Sequence, residues 1–441
     1  MKIVFVSPHF PPRFKGGTEQ YTYRLAKAIQ ASGNQVEVCC VEVGDPAGEL
    51  LTHQLDFYEG LQVHRLYANL QVFYQHAHWE YDNPVIGQWF KDYLKSYRPD
   101  IVHVNSGYLI SGSVLAEAIN SGIKTVLTLH DYWFLCPRIN LLRTSGQVCE
   151  EPVPVSRCVW CKLTEKRRYR MIDEIYDGKF GDIFTSISQS RLLSVQLQHI
   201  DLFLKLQERR NFLKRVFMQA DAVICLSRFM MDKIIEYGFH HDHVHFLPFG
   251  LDSIAIKKVV KPADQPIRIG YIGQIAPHKG VHILIQAFQE LVSSRQAELH
   301  IFGNENQDPR YTRWLKKLAG EQDRINFRGA FENREVGEIF AEIDVLVVPS
   351  VWYENRPTVI LEAFSAGVPV VASRYGGMIE LIEEEQNGLL FNMGDAQDLA
   401  EKLDRLIHEE GLLERLSMGI KKVKRIDEEM HEILDLYQQL L

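Results

Sequence analysis

The chain has 441 residues, enough for two to four domains at roughly 100 to 200 residues each. Apolar residues make up 46% and charged residues 24%, a balance that supports buried cores and excludes an intrinsically disordered chain. The net charge of −8 excludes the positive field that a nucleic-acid-wrapping protein needs, so no nucleic-acid partner is expected.

The amino-terminal apolar run is too short for a signal peptide, because Ser7-Pro8 follows Lys2 and four apolar residues. No stretch approaches the roughly 18 consecutive apolar residues of a membrane-spanning helix. We therefore expect a cytoplasmic protein, and the sequence leaves open peripheral contact at the inner face of the membrane.

The first half alternates predicted strands and helices. A strand at 2–6, a loop rich in Pro and Gly, a helix at 18–31 and a strand at 36–43 form a parallel crossover unit. Such alternation predicts a doubly wound parallel sheet, and we assign 1–250 to an N-terminal Rossmann-like domain. Its later elements are predicted at 99–104, 124–129 and 222–226 as strands, with a helix near 113–121.

A polar stretch rich in Lys and Pro separates the halves, and it predicts a linker at 251–266. A second Rossmann-like domain follows at 267–425. The last segment, 426–441, predicts a helix that packs back on the N-terminal domain. Strands of the second domain are predicted at 267–272, 298–302, 325–328, 345–348 and 369–372.

The predicted fold class is therefore α/β, with two doubly wound domains. Open parallel sheets bind ligands beyond the carboxyl ends of their strands. Two such domains facing each other would form a cleft, so residues that directly follow strands are the candidate site residues.

The strongest candidates lie in the stretch 349–362, after an apolar strand. Pro357 is expected in the first helical turn and Arg356 at the cap, where it offers the free amides no acceptor. Glu354 precedes this helix, and Glu362 lies roughly 7.5 Å beyond Pro357, about the length of a diphosphate between two sugars. One interpretation is a phosphate bound at the helix start with one carboxylate for each sugar; solvated helix-start carboxylates are the alternative.

Other loops that follow predicted strands carry compatible residues. Lys279 enters a helix and can approach a diphosphate, while Gly273 and Gly280 allow close backbone approach. For this loop alone, a turn with a solvated lysine is the favoured interpretation. Equivalent positions are occupied by Gly16-Gly17, His130-Asp131 and Gly376-Gly377.

Together these residues resemble the retaining family 4 glycosyltransferases of the GT-B fold, over nearly the whole chain. The resemblance rests on Gly16-Gly17-Thr18-Glu19, His130-Asp131, Lys279-Gly280 and the pair Glu354 and Glu362, followed by Ala363-Phe-Ser-Ala-Gly-Val-Pro-Val370. The glutamate spacing with its downstream run is the specific part, whereas the double glycine is weak alone.

The resemblance implies two Rossmann-like domains facing each other across a cleft. It implies a retaining hexosyltransferase that moves a sugar from a nucleotide-sugar donor to a glycan, lipid-linked or small-molecule acceptor. Surface polysaccharide or glycolipid biosynthesis is the implied setting. The donor is a UDP- or GDP-sugar, with the base undetermined, bound mainly by the C-terminal domain.

The resemblance also implies residue roles. Glu362 holds the ribose hydroxyls, Glu354 contacts the donor sugar, and His130 faces that sugar from the first domain. Lys279 and the amides around residues 355–358 neutralise the diphosphate. The full set of implied donor-binding residues is Gly16, Gly17, Gly273, Gln274, Lys279, Asn355, Arg356, Pro357, Thr358 and Glu362.

One residue departs from the family pattern, because many relatives carry Arg where this chain has Gln274. A neutral hydrogen bond is weaker than a charge-assisted one by about 1 kcal/mol. We expect Arg13, Lys15 or another basic residue to compensate.

The expected chemistry follows from charge. Breaking the anomeric bond leaves negative charge on the departing diphosphate, so amides and Lys279 stabilise the transition state and no catalytic metal is required. The resemblance implies front-face attack, in which a diphosphate oxygen accepts the acceptor proton. Glu354 is then a sugar-binding residue and not a nucleophile.

Two other functions fit the same architecture. A nucleotide-sugar epimerase would release free sugar or an epimer without an acceptor, and a catalytically silent protein would bind the donor without turnover. A glycosidase would need paired carboxylates flanking the bond and no nucleotide.

Seven cysteines are present, and in a cytoplasmic chain they are expected to be reduced, metal-bound or buried. Four of them lie in an insertion at 135–162, and the last two form a CxxC motif. Four thiolates form a closed tetrahedral zinc site, so we predict structural zinc there, with unligated thiols and disulfides as alternatives. The four are Cys136, Cys149, Cys158 and Cys161.

Two basic segments, 162–170 and 202–218, have the composition of helices that rest on anionic membranes. The favoured interpretation is a solvated face above a buried apolar stripe. Histidines at 240, 241, 243 and 245 are interpreted as strand-face residues rather than metal ligands. The sequence predicts no oligomeric state.

Overall fold

The computed structural model describes residues 1–189, 195–252, 265–291, 297–321, 323–332 and 335–441. The chain divides into two compact units: unit 1 is Met1–Phe249 with Ile426–Leu441, and unit 2 is Gly250–Arg425. Most of the predicted linker, 253–264, lies outside the described residues.

The strands fall into two sheets, one in each unit. Unit 1 has the order β3-β4-β2-β1-β5-β6-β7-β8 and unit 2 the order β11-β10-β9-β12-β13-β14. The strands are β1 Lys2–Ser7, β2 Gln35–Val43, β3 Leu51–Tyr58, β4 Leu61–Ala68, β5 Ile101–Val104, β6 Lys124–Leu129, β7 Ala222–Cys225, β8 Val244–Phe246, β9 Ile267–Ile272, β10 Ala297–Phe302, β11 Ile325–Gly329, β12 Val345–Val348, β13 Val370–Ser373 and β14 Gly388–Phe391.

Helices alternate with these strands, as the sequence predicted. Short 3-10 turns span Ala77–Glu80, Pro277–Lys279 and Gly376–Glu380. The helices are α1 Gly17–Ala31, α2 Leu70–Phe73, α3 Pro84–Tyr97, α4 Ser113–Asn120, α5 Val155–Leu163, α6 Arg167–Ile175, α7 Phe180–Gln189, α8 Val195–Gln219, α9 Arg228–Glu236, α10 Val281–Glu290, α11 Pro309–Ala319, α12 Val336–Ala341, α13 Thr358–Ser365, α14 Ala396–His408, α15 Leu412–Met418 and α16 Ile426–Leu440.

Both sheets are built around strands that are apolar on both faces. In β1 the four residues from Ile3 to Val6 are fully buried, and β12 is buried throughout. Parallel strands covered by helices on both faces need such continuous apolar runs. Adjacent strands pair in parallel in both sheets, apart from the antiparallel pair β3 and β4. The predicted α/β class is confirmed.

The predicted elements omitted β3, β4, β14 and several helices. Strand β3 is an edge strand whose residues are mostly exposed and polar, so it lacks a core strand's apolar pattern. The insertion at 135–162 contains most of α5, whose buried residues include Val159 and Trp160. None of the described helices is long and apolar enough to cross a membrane.

The basic segment at 202–218 lies in α8, and its described residues match the interpretation of a helix with a buried apolar stripe. Phe212 and Phe217 are buried, whereas Lys214 and Arg215 are exposed. Arg209 does not lie on the solvated face that was expected for the basic residues. It is buried, donates a hydrogen bond to the Trp133 carbonyl and lies over the Trp133 ring.

Helix α16 belongs to unit 1, although it follows unit 2 in the chain. It buries Met430, Ile433, Leu436 and Tyr437. The Tyr437 hydroxyl forms a hydrogen bond with Nδ1 of the buried His103 in β5. His103 Nε2 in turn lies 2.6 Å from the hydroxyl of Thr128 in β6. A buried polar chain therefore connects α16 to the middle of the first sheet.

Replacing Tyr437 with Phe is expected to lower the free energy of unfolding of unit 1 by about 1 to 3 kcal/mol, because a buried nitrogen of His103 loses its partner. Urea unfolding measures this loss. Tyr74→Phe is the control, since Tyr74 is 68% exposed and should tolerate the change. Equal stability of the two variants would show that this hydrogen bond does not hold α16 in place.

Candidate active site

In unit 2 the loop after β9 lies against the loop after β12. Gly280 adopts a φ of 72° at the start of α10, and a Cβ atom there would lie 1.8 Å from the Pro349 carbonyl oxygen. A side chain at this position is excluded both by the close contact and by the left-handed backbone. The backbone of Val351 also donates a hydrogen bond to the carbonyl of His278. This contact places Lys279 beside the stretch that contains Glu354.

Three donors converge on one carboxylate oxygen of Glu354. Lys279 Nζ lies 2.7 Å from Oε1, the Ser350 hydroxyl 2.7 Å and the Trp352 indole nitrogen 2.8 Å. The Lys279 ammonium also lies 4.9 Å from the centre of the Trp352 ring. Within the described residues, no donor is bonded to Oε2 of Glu354. Oε2 is therefore the carboxylate oxygen of Glu354 that can accept a further hydrogen bond.

Burial and the Lys279 charge set the protonation states of Glu354 and His278. Burial of Glu354 alone would raise its pKa, but Lys279 and the hydrogen bonds from Ser350 and Trp352 outweigh burial and hold the pKa below its ordinary value. Burial and, to a lesser extent, the Lys279 charge lower the pKa of the neighbouring His278 to about 4. His278 is therefore neutral at pH 7, whereas Glu354 is ionised.

Helix α13 begins one residue later than expected. Pro357 is at the cap position and Thr358 is the first helical residue, so the expectation that Arg356 caps the helix was wrong. The backbone of Pro357 is extended, which ends the loop and starts the helix at the next residue. Within the described residues, the cap residue Pro357 supplies no side-chain hydrogen bond to the start of α13. Glu362 lies more than one turn inside the helix, as predicted.

A third loop, after β13, packs against the same stretch. The Gly377 amide donates a 2.7 Å hydrogen bond to the Glu354 carbonyl, and a Cβ at Gly377 would lie 1.7 Å from the Asn355 carbonyl oxygen. The rings of Tyr353 and Tyr375 stack with centroids 4.6 Å apart. The loops after β9, β12 and β13 therefore meet at Glu354.

Gly273 and Gln274 lie in the loop after β9. The Gln274 side chain is exposed, while the backbone carbonyl of Gln274 accepts a 2.6 Å hydrogen bond from the Tyr271 hydroxyl. Gly273 has a φ of 155° and donates to the Phe302 carbonyl. Arg13, one of the residues expected to compensate for Gln274, lies in unit 1 over the Tyr67 ring.

The remaining candidates lie in unit 1. Gly16 is at the cap position of α1 and Gly17 is its first residue, with no side chain capping the helix. Both glycines are exposed, and a Cβ at Gly17 would have no neighbour within 4 Å among the residues that the structure describes. Packing within the protein therefore gives no reason for glycine at position 17.

His130 and Asp131 follow β6. Burial lowers the pKa of His130 to about 3, and its ring meets the Tyr21 ring edge-on at 4.4 Å. Burial also raises the pKa of Asp131 to about 6, against hydrogen bonds from the Trp133 amide and the Ser106 hydroxyl. His130 is thus a neutral ring at pH 7.

Some contacts at these sites were not predicted. Ser350 and Trp352 lie four and two residues before Glu354, and only the conformation of the loop turns both toward one oxygen. Ser106, which binds Asp131, comes from the end of β5. The sequence could have identified Ser106 as a candidate site residue, because it follows a predicted strand.

The four insertion cysteines are free and partly exposed. In the described part of the chain, no group of three or more His, Cys, Asp or Glu side chains is arranged to hold a metal ion as it stands. This includes the histidines at 240–245, of which His245 lies in β8.

Replacing Lys279 with Met is expected to lower the free energy of unfolding by roughly 3 kcal/mol at pH 7, because it leaves the buried Glu354 charge unpaired. The ion pair stabilises the fold above the unfolded-state pKa of Glu354, about 4.3, and is lost as the pH falls through its lower folded-state value. The difference between the variant and the native chain should therefore shrink in acid, as measured by urea unfolding at pH 7 and below pH 4.

Lys95→Met is the matched control, because Lys95 and its partner Asp92 are largely exposed and their ion pair should matter little. A destabilisation by Lys279→Met that stayed constant with pH, or equalled that of the control, would contradict the role given to the Lys279–Glu354 pair.

Two protein-family models match this chain. The family model described as Glycosyl transferases group 1 matches residues 252–423, and that described as Glycosyltransferase Family 4 matches residues 15–168. Together the two matches span well over half of the chain.

Curated relatives match over shorter segments. Mannosylfructose-phosphate synthase of Agrobacterium fabrum is 29% identical over 230 residues, which are 48% of this chain and 50% of that protein. The amylovoran biosynthesis glycosyltransferase AmsK of Erwinia amylovora is 27% identical over 243 residues, 53% of this chain and 56% of that protein. The matched segments thus span about half the length of these relatives.

Solved structures match over the whole chain. Sucrose-phosphate synthase from Thermosynechococcus elongatus has a TM-score of 0.68 at 20% identity, covering 100% of this chain and 98% of that one. HepE of Anabaena, solved in complex with UDP, has a TM-score of 0.64 at 17% identity and full coverage of both chains. These identities show a shared fold. With two Rossmann-like units and matches to both family models, the chain belongs to the family 4 glycosyltransferases and has the GT-B fold.

Proposed function

We propose that the protein is a retaining hexosyltransferase that moves a sugar from a nucleotide-sugar donor to a glycan, lipid-linked or small-molecule acceptor. Surface polysaccharide or glycolipid biosynthesis is the proposed setting, supported by the name of the relative from Erwinia amylovora. The single observation that carries the proposal is the convergence of three donors on Glu354 Oε1 immediately before α13.

The donor is proposed to bind unit 2. Oε2 of Glu354 accepts a hydroxyl of the donor sugar, because the other oxygen is occupied by Lys279, Ser350 and Trp352. The start of α13, where the cap residue Pro357 supplies no side-chain hydrogen bond, binds the diphosphate through backbone amides and the helix dipole. Glu362, further along the same helix, holds the ribose hydroxyls. The neighbour solved with UDP supports a uridine donor, with a GDP-sugar as the alternative.

Lys279 has two proposed roles. Its ammonium group keeps Glu354 ionised, and its charge stabilises the diphosphate as the anomeric bond breaks. Gln274, exposed in the same loop, adds a neutral hydrogen-bond donor, and Gly273 allows the backbone to approach the phosphates. Asn355, Arg356, Pro357 and Thr358 complete the diphosphate-binding segment.

The proposed transfer proceeds by front-face attack. The bond between the anomeric carbon and the diphosphate oxygen breaks, and the acceptor oxygen forms a bond to that carbon on the same face. The acceptor proton passes to the departing diphosphate oxygen, so no protein base is required. Glu354 binds the sugar throughout, and isolation of a sugar bonded to Glu354 would instead indicate a double displacement.

Unit 1 is proposed to bind mainly the acceptor, while its residues His130, Gly16 and Gly17 are proposed to contact the donor. His130 is neutral at pH 7 and can donate a hydrogen bond to a sugar hydroxyl without adding charge. Gly16 and Gly17 are exposed at the start of α1, and the absence of neighbours around Gly17 suits close approach of a ligand to the backbone.

Glu362→Ala is expected to abolish the rise in melting temperature that a bound donor produces, because the variant cannot hold the ribose. Thermal shift with a panel of UDP- and GDP-sugars measures this and identifies the base. Glu338→Ala, an exposed glutamate of α12, is the control and should keep the shift. An unchanged shift in Glu362→Ala would refute the ribose assignment, and an epimer or free sugar released without an acceptor would indicate an epimerase.

We also propose that α6 contacts an anionic membrane that carries a lipid-linked acceptor. Its buried residue is Asp173, whereas Met171, Ile172 and Ile175 are exposed beside exposed basic residues. Apolar and basic side chains on one short helix match a membrane surface with anionic lipid. The basic residues are Lys166, Arg167, Arg168 and Arg170.

The native chain should float with vesicles that contain phosphatidylglycerol and not with phosphatidylcholine alone. Ile172→Glu with Ile175→Glu should abolish flotation, while Ile235→Glu, an exposed isoleucine of α9, should not. Flotation that is absent, or unchanged in the α6 variant, would favour a solvated face and a soluble acceptor.

A further inference from the structure

The seven cysteines form two distinct groups. Cys39, Cys40 and Cys225 are buried within strands of the first sheet, as apolar side chains would be. The four insertion cysteines are partly exposed and lie outside the strands. The four are Cys136, Cys149, Cys158 and Cys161. Packing as a small apolar side chain explains why cysteine occurs at the three buried positions. It does not explain the four cysteines of the insertion.

Two of the four flank a hairpin, with Cys149 directly after it and Cys136 six residues before its first bridged residue. Leu142 and Val148 form an antiparallel bridge, and the Cys149 amide donates a 2.7 Å hydrogen bond to the Leu141 carbonyl. On the other side of the hairpin, the Arg138 amide lies 3.3 Å from Sγ of Cys136. An amide two residues after a cysteine that points at its sulfur stabilises a thiolate, and the hydrogen bond orients that sulfur as a ligand.

The other two lie one turn apart on α5, at positions that share a helix face. The hairpin is joined to the end of this helix by a 2.5 Å hydrogen bond from Thr144 to Thr164. This hydrogen bond holds the hairpin that precedes Cys149 against the end of the helix that carries Cys158 and Cys161.

Arginines surround the cluster, each beside a different cysteine. Cys149 interacts electrostatically with Arg143, and the positive charge of Arg138 opposes the rise that burial causes in the pKa of Cys161. Burial raises the pKa of Cys136 and of Cys158. The positive charge of Arg209 opposes that rise at Cys136, and the charge of Arg210 opposes it at Cys158. Four thiolates around a divalent cation carry a net charge of −2, and such a group is stable in a protein when positive charges compensate it.

We propose that Cys136, Cys149, Cys158 and Cys161 bind one zinc ion in a closed, structural four-thiolate site. As the described side chains stand, they do not form a finished site, so binding requires the sulfurs to turn toward one another. Each thiol loses its proton to solvent when it binds the ion. Four thiolates leave no position for water, so the ion has no direct part in sugar transfer.

The site would fix the loop that follows His130 and Asp131. The Cys136 amide donates to the Tyr132 carbonyl at 2.7 Å, and the Tyr132 amide donates to the Ile139 carbonyl at 2.9 Å. A metal ion at Cys136 therefore ties the residues directly after Asp131 to α5. This role rests on the loop geometry and does not depend on the proposed transferase activity.

The test is elemental analysis of the full chain, purified without chelator and without added metal. We expect about one zinc ion per chain in the native protein, and loss of zinc in Cys158→Ser with Cys161→Ser. Cys225→Ala is the control and should keep its zinc, because Cys225 is buried in β7. A content below about 0.2 zinc per chain in the native protein, or zinc retained by the double variant, would overturn the proposal.

A second measurement covers the case in which the double variant does not fold. Native protein stripped of metal and reloaded with cobalt(II) should show intense thiolate-to-cobalt charge-transfer absorption and tetrahedral visible bands, and its melting temperature should rise. Absence of that absorption, or a disulfide detected among the four cysteines by mass spectrometry without reductant, would overturn the proposal. Donor-induced thermal shift in the same sample tests the transferase proposal separately.

Discussion

The buried carboxylate of Glu354 is the feature around which the second unit's candidate site is organised. Removing a charge from water is costly unless partners replace the lost hydration, and here an ammonium, a hydroxyl and an indole replace it at one oxygen. Those partners come from two loops, which Gly280 allows to touch. A third loop reaches the same residue through the Gly377 amide. Glu354 thus connects three strand ends, two of them through its carboxylate and the third through its backbone carbonyl.

This arrangement separates the two oxygens of a single side chain. Oε1 is used by the protein, and within the described residues Oε2 has no donor. A carboxylate fixed in this way presents its second oxygen in a set direction, because rotation would break three hydrogen bonds. Preorganised polar groups of this kind cost little reorganisation when a ligand arrives, which is how protein sites achieve selectivity for hydroxyl groups.

The α/β class and most strands of both sheets were predictable because parallel strands buried on both faces require uninterrupted apolar runs. Strands β9 and β12 have the predicted bounds for this reason. Strand β3 was not predictable from burial, since an edge strand with exposed polar residues has no such signal. The start of α13 was misplaced by one residue because proline suits both the cap and the first turn.

The candidate residues were predictable as a set, and their contacts were not. Lys279 and Glu354 each follow a strand of a parallel sheet, and strand ends of such a sheet meet at one edge. The ion pair between them depends on the contact of Gly280 with Pro349, which involves residues 69 positions apart in the sequence. No local sequence pattern predicts a contact between residues so far apart in the chain. The same holds for Ser350 and Trp352, whose directions depend on the loop path.

The return of α16 to the first unit has a consequence for biosynthesis. The ribosome makes residues 426–441 after all of unit 2, so the partner of His103 is added to the nascent chain long after His103 itself. Until then, the first unit exposes the apolar surface that Ile433 and Leu436 later cover. The first unit therefore remains incompletely packed until the second unit and α16 have been translated. This order makes the nascent chain a client for chaperones that shield apolar surface during synthesis.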